Sequence, residues 1–460
     1  MGNSVEENII DRRTVLNKHA DQELTSRFLR PIDTASLLKN FMWQEFELSR
    51  MGFGWLLGVP DYDNKSRLGR YGYIHSKNSK CLYERVKELP GNLKESQGTP
   101  PLIEHVYERL SLAPSDIAFY ISYDFILKNL DMQYAKLRDK LDPILDAPTI
   151  DQLNIVFMER KEIKEWLHQQ IQFAHIENSV TLEENDRWLT YIKEVWQLFM
   201  EGLNADKLPT QINWPEHPTQ QPVGPAPAES AWNAEELPIY TTPEHPVKNY
   251  SDPDMSPLHD SIKQMHYINA TEIGAAQMLC YLYYGVRKMP LAFYYDLARH
   301  LWDEVRHSQM GFRRLEQMGY STQQFKFPSG SPGKDLEKLA KEWFPDMYCR
   351  LTMIGEPCSF IKKRKSAEKF WEYGDDLSAI HCEFDMADER MHVDYGKKWG
   401  PELYKQINDL IQSAEMAQRM KMRRLEELGA AATKEEREKI AKNFPAFCGF
   451  STMELNYEKY

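Results

Sequence analysis

Apolar residues along most of this chain recur every three or four positions, the spacing that gathers them on one face of an α-helix. In IAFYISYDFILKNLDMQYAKLRDK, residues 117–140, the stripe is Ile117, Tyr120, Ile121, Phe125, Leu127 and Leu130. Asp142-Pro143 and Ala147-Pro148 break it, since proline lacks the N–H a helix needs. A second helix begins TIDQLNIVF with Thr149 as its N-cap, and a third spans about 185–203. Residues 55–100, rich in Gly, Tyr and turn formers, predict a loop. The second half predicts four long helices at about 258–287, 290–318, 334–372 and 375–398, then two more at about 401–428 and 433–442. Few segments alternate with period two, so the expected fold class is all-α.

Eleven of the 26 prolines fall between Asp206 and Asp260, in text such as QQPVGPAPAES. That stretch cannot be one helix and reads as an extended linker over the surface. It divides the chain into a helical domain at 1–205, a linker at 206–257, a four-helix bundle at 258–400 and C-terminal helices with a tail at 401–460. A net charge of −12 argues against a nucleic-acid partner, because phosphate contacts need clustered cations. The one basic run, Lys362-Lys363-Arg364-Lys365, reads as a solvated face. The six cysteines, Cys81, Cys280, Cys349, Cys358, Cys382 and Cys448, form no CxxC pair and fit a reducing cytoplasm. The N-terminus has no apolar signal region, Glu6 breaks the myristoylation pattern, and no apolar run is long enough to span a membrane.

Two short stretches echo each other. DEVRH at 303–307 and DERMH at 388–392 both read Asp-Glu-x-x-His. Glutamate and histidine three apart share a helix face and can reach one metal ion. One such pair is weak evidence, because about one match is expected by chance in a chain of this composition. The context upstream is what adds weight. Glu272 precedes Glu304 by 32 residues and Glu356 precedes Glu389 by 33, the length of a helical hairpin that returns to the same height. Two such hairpins give four inward glutamates and two histidines, the ligand set of a dinuclear carboxylate site in a four-helix bundle. Apolar neighbours imply burial: Ala275, Ala276 and Leu279 beside Glu272 with Ile268 before it, and Phe293, Leu297, Leu301 and Met310 around Glu304 and His307. Buried carboxylates are costly unless paired or metal-bound.

Other candidates read more plainly. Glu165/His168, the third match to the motif, reads as a surface pair without an upstream partner. His300, His381 and His266 read as packing or supporting residues, and Tyr395, three after His392, as core. Pro357 directly follows Glu356 and must disturb the helix there, a bulge that would aim the ligand or widen a pocket.

The paired motif resembles the ferritin-like superfamily, in particular its di-iron carboxylate oxygenases and oxidases, over about residues 260–400. LARHLWDEVRHSQMGFRRLEQMG is similar to a little-characterised branch. The resemblance implies metal ligands at Glu272, Glu304, His307, Glu356, Glu389 and His392, with Asp303 and Asp388 each supporting the histidine of its own motif. It implies two iron ions, with manganese or a mixed Mn/Fe pair open by ligand type. It also implies a pocket touching Ala276, Phe360 and Tyr395, and admits a degenerate, metal-free ferritin-like bundle at 1–205. Multicomponent hydroxylases carry threonine four residues after the third-helix glutamate; Phe360 stands there. The expected activity is O₂-dependent oxidation of a small organic substrate. Electrons would come from a partner reductase or from the substrate, because no flavin or nicotinamide fingerprint occurs. A homodimer is compatible with this reading. Iron storage, a non-enzymatic interaction module and an RNA-modifying hydroxylase stand as alternatives.

Overall fold

The computed structural model describes residues 28–59, 61–91, 98–177, 181–204, 212–218, 265, 269–320 and 343–429. Among them there is no strand, and the fold is all-α. Residues 258–264, His266, Ile268, the first part of the helix expected at 334–372, the helix at 433–442 and most of the linker lie outside the described residues. No described helix is long and apolar enough to cross a membrane.

The first half contains α1 (Pro31–Gly58), α2 (Tyr62–Glu88), α3 (Pro101–Ser111), α4 (Asp116–Arg138), α5 (Ala147–Glu177) and α6 (Thr181–Asn204). Helix α1 is buried without interruption from Phe41 to Leu57. A helix dry on every side belongs at the centre of a core. The loop expected at 55–100 is instead mostly helix α2, and the reason lies in its glycines. A Cβ at Gly72 would lie 2.6 Å from the Phe53 ring, and one at Gly69 would lie 2.8 Å from Val305. These glycines permit close helix packing rather than turns. Asp61 caps α2 by accepting the Asn64 N–H at 2.8 Å, and buried Lys65 donates back to the last carbonyls of α1, at Leu56 and Leu57. Helix α5 starts at Ala147, so Thr149 is not its N-cap; the Thr149 hydroxyl bonds Asp146 in the first turn.

The second half holds a 3₁₀ turn (Ala270–Glu272), α7 (Ile273–Gly285), α8 (Leu291–Gln317), α9 (Phe344–Arg350), a π-helical turn (Leu351–Gly355), α10 (Glu356–Tyr373), α11 (Asp376–Lys405) and α12 (Ser413–Gly429). Helix α11 continues through Pro401 to Lys405, and the break comes after it, where Asn408 takes φ 63°. Helices α7, α8, α10 and α11 pack together, and one hydrophobic core runs on from them into α1 and α2. Ser49 meets the Tyr283 hydroxyl at 3.1 Å, Tyr62 meets Ser308 at 2.9 Å, and the Tyr62 ring stacks on Phe312. The described piece of the linker, 212–218, lies on the first half, with the His217 ring 2.7 Å from the Leu112 carbonyl.

Candidate metal centre

Four helices each aim polar groups at one buried spot. Glu272 ends the 3₁₀ turn before α7. Helix α8 contributes His300, Asp303, Glu304 and His307, spaced so that they share a face. Helix α10 opens with Glu356 and carries Ser359 and Lys363 on the same side, and α11 brings Asp385, Asp388, Glu389 and His392. The disturbance expected at Pro357 is the π-helical turn just before Glu356, where the Glu356 N–H bonds the Leu351 carbonyl five residues back. One extra residue in that turn rotates the start of α10.

Two groups of potential ligand atoms result. His300, Glu304, Glu356 and His392 form the first, and Glu272, His307 and Asp385 the second. In the first, His300 Nε2 lies 2.9 Å from Glu356 and 3.2 Å from Glu304, while His392 Nδ1 lies 3.5 Å from Glu356 and 3.4 Å from Glu304. The His300 and His392 rings stack at 3.8 Å. In the second, His307 Nδ1 lies 3.1 Å from Glu272 and 3.6 Å from Asp385.

The supporting aspartates are crossed. Asp303 meets His392 Nε2 at 3.3 Å, and Asp388 meets His307 Nε2 at 3.2 Å. Each therefore supports the other motif's histidine rather than its own. The reason is that α8 and α11 run antiparallel here, so a residue one turn before a histidine on one helix faces the histidine on the other. Arg299 and Arg306 each bridge Asp303 and Asp388 from outside. Burial pushes the Asp303 carboxyl up, but His392 and Arg299 overcome it and hold the group at about 2. Glu272 goes the other way: burial and the Asp385 charge push it up to about 7 against the pull of Lys363 and His307.

The residues present fit a metal. His300 Nδ1, His307 Nδ1, His392 Nδ1, both Glu356 oxygens and Glu272 Oε2 are buried and make no hydrogen bond. Orphaned donors and acceptors in a protein interior are rare, and nitrogen and carboxylate oxygen at one point are an iron, manganese or zinc donor set.

Five of the six expected ligands enter the two groups. Glu389 does not: its oxygens bond Ser359 at 2.9 Å and Lys363 at 2.5 Å. Lys363 is completely buried and also meets Glu272 at 3.2 Å and Asp385 at 2.6 Å, so at this position the basic run is not a solvated face. The lysine stands seven residues after Glu356, two turns along the same face, which is the signal that could have shown it. His300, expected as a supporting residue, and Asp385, not singled out, each sit four residues before a motif glutamate and join the groups by that spacing.

His381 packs elsewhere, 2.7 Å from an Arg313 nitrogen; burial and the arginines lower it to about 4. Glu165 and His168 are exposed. Ala276 and Phe360 are buried, and the Tyr395 ring lies 6.4 Å from that of His392. A cavity of about 700 Å³ opens near the α7–α8 turn, walled by Trp43, Arg50, Tyr283 and Tyr294 among others, and by none of Ala276, Phe360 and Tyr395.

A family model described as "Protein of unknown function (DUF455)" matches residues 226–440, a little under half the chain, and that span contains every residue of the centre. No curated protein and no solved structure matches.

Proposed function

We propose that this chain is a ferritin-like, non-haem di-iron oxidase or oxygenase that uses O₂ to oxidise a small organic molecule in the cytoplasm. The observation that carries this reading is the set of buried imidazole and carboxylate atoms without hydrogen bonds, gathered from four helices. Iron held there would supply electrons and open coordination positions for O₂; a manganese or mixed pair would meet the same donors. The chain's residues do the positioning. Asp303 and Asp388 accept Nε2–H bonds and so leave the Nδ1 lone pairs of His392 and His307 free for a cation. Arg299 and Arg306 neutralise the two aspartates and fix both in place. Burial keeps bulk water from the reacting atoms. Further electrons would come from a partner reductase or from the substrate.

The test is O₂ uptake by the anaerobically reduced, iron-loaded chain. Loading should stop near two irons per chain, and a single addition of O₂ should be consumed in one turnover. Glu304→Ala should slow this by roughly a hundredfold or more. Iron uptake continuing far beyond two per chain would favour storage and sink the oxidase reading.

A further inference from the structure

Lys363 puts a cation into this centre, which a simple dinuclear site does not need. It is a buried ammonium within 3.2 Å of Glu272, Asp385 and Glu389. A lysine is almost never fully buried unless its charge is paired. Here the partners are two carboxylates on α11 and one at the start of α7, on the same side of the centre as His307. Among the described residues, no such cation meets the group around His300 and His392. It offers two imidazoles and two carboxylates, a complete and charge-balanced set for one divalent ion.

We infer, building on the metal-centre reading above, that Lys363 is a resident counter-ion of the Glu272/His307/Asp385 position and makes the two halves load unequally. The first ion goes to His300, Glu304, Glu356 and His392. The second must draw Glu272 and Asp385 away from an ammonium that already satisfies them, and it meets like-charge repulsion from that ammonium. Glu389 is the residue that would change partners, because its oxygens are committed to Lys363 and Ser359. The centre is therefore built to hold one ion firmly and admit a second on weaker terms. The order in which reactants meet the metal would depend on this asymmetry.

Anaerobic titration of the full chain with Co(II), followed by absorbance and by calorimetry, tests this. The wild type should bind one ion tightly and a second roughly tenfold or more weaker. Lys363→Met should bring the second ion close to the first in affinity. With chelator present, Lys363→Met should melt below the wild type, because Glu272, Asp385 and Glu389 lose their shared cation; saturating Co(II) should close that gap. Two histidine variants read the order without touching the lysine. His392→Ala should abolish the tight site, and His307→Ala should leave it intact. Lys363→Gln, which keeps a hydrogen-bond donor, serves should Lys363→Met fail to fold. Two equally tight ions in the wild type would overturn the inference while leaving the metal centre standing. So would a second ion no tighter in either lysine variant, or a tight site lost in His307→Ala and kept in His392→Ala. No Co(II) bound by any form would overturn the metal-centre reading itself, and this inference with it.

Discussion

Glu45, deep in the first half, shows how a buried charge is held without a metal. Its carboxylate meets His75 Nδ1 at 2.6 Å, the Tyr134 hydroxyl at 2.9 Å and the Arg160 guanidinium, and His75 in turn meets the Tyr123 hydroxyl at 2.6 Å. Burial pushes the Glu45 carboxyl up; Arg160, His75 and Tyr134 overcome it and bring it from 4.5 to about 2. A carboxyl lowered on folding stabilises the fold above its unfolded value, and that contribution is lost as pH falls from 4.5 towards 2. Glu45→Gln should therefore cost about 3–5 kcal/mol at neutral pH, chiefly by leaving the buried Arg160 with Asp131 as its one remaining carboxylate, and should flatten the acid limb of stability below pH 4.5. Urea unfolding across pH checks both. At this scale, the meeting of Glu272, Glu304, His307, Glu356 and His392 was legible because Glu and His carry their meaning in local spacing, whereas Glu389 turns to Lys363 and Ser359. His300, Asp385 and Lys363 were harder to see. Such residues on a helix usually pack or face water, and only the fold brings His300 to one group and Asp385 and Lys363 to the other.

At the scale of the element, the π-helical turn before Glu356 depends on close approach to α11. A Cβ at Gly396 would lie 2.1 Å from the Thr352 hydroxyl oxygen in that turn. Gly396→Ala should displace the turn and with it Glu356, destabilising the chain by about 1–3 kcal/mol and weakening metal binding. Thermal melts with and without Co(II) would show whether the two losses go together; a variant as stable as the wild type would contradict the packing. Pro357 announced this irregularity in the sequence, because a missing N–H has a local consequence whatever surrounds it. Helix α2 was not announced. Gly69 and Gly72 look like turn residues when read alone, and their use as contact points for Val305 and Phe53 depends on helices distant in sequence.

For the whole molecule, the proline-rich stretch suggests two separate halves, yet α1 and α2 share one core with α7 and α8. Residue spacing along a chain does not report which distant helices meet, and so this was not legible. A shared core predicts one cooperative urea transition, seen alike by tryptophan fluorescence and circular dichroism. Two separated transitions would mean that the halves fold independently.

Everything proposed for this chain requires that the buried cluster between α7, α8, α10 and α11 hold metal. Crystals grown anaerobically with Fe(II), measured on both sides of the iron absorption edge, test it most directly. An anomalous peak should appear between His300, Glu304, Glu356 and His392, with a second, weaker one beside Glu272, His307 and Asp385. An iron-saturated crystal with no anomalous density in this cluster would contradict it.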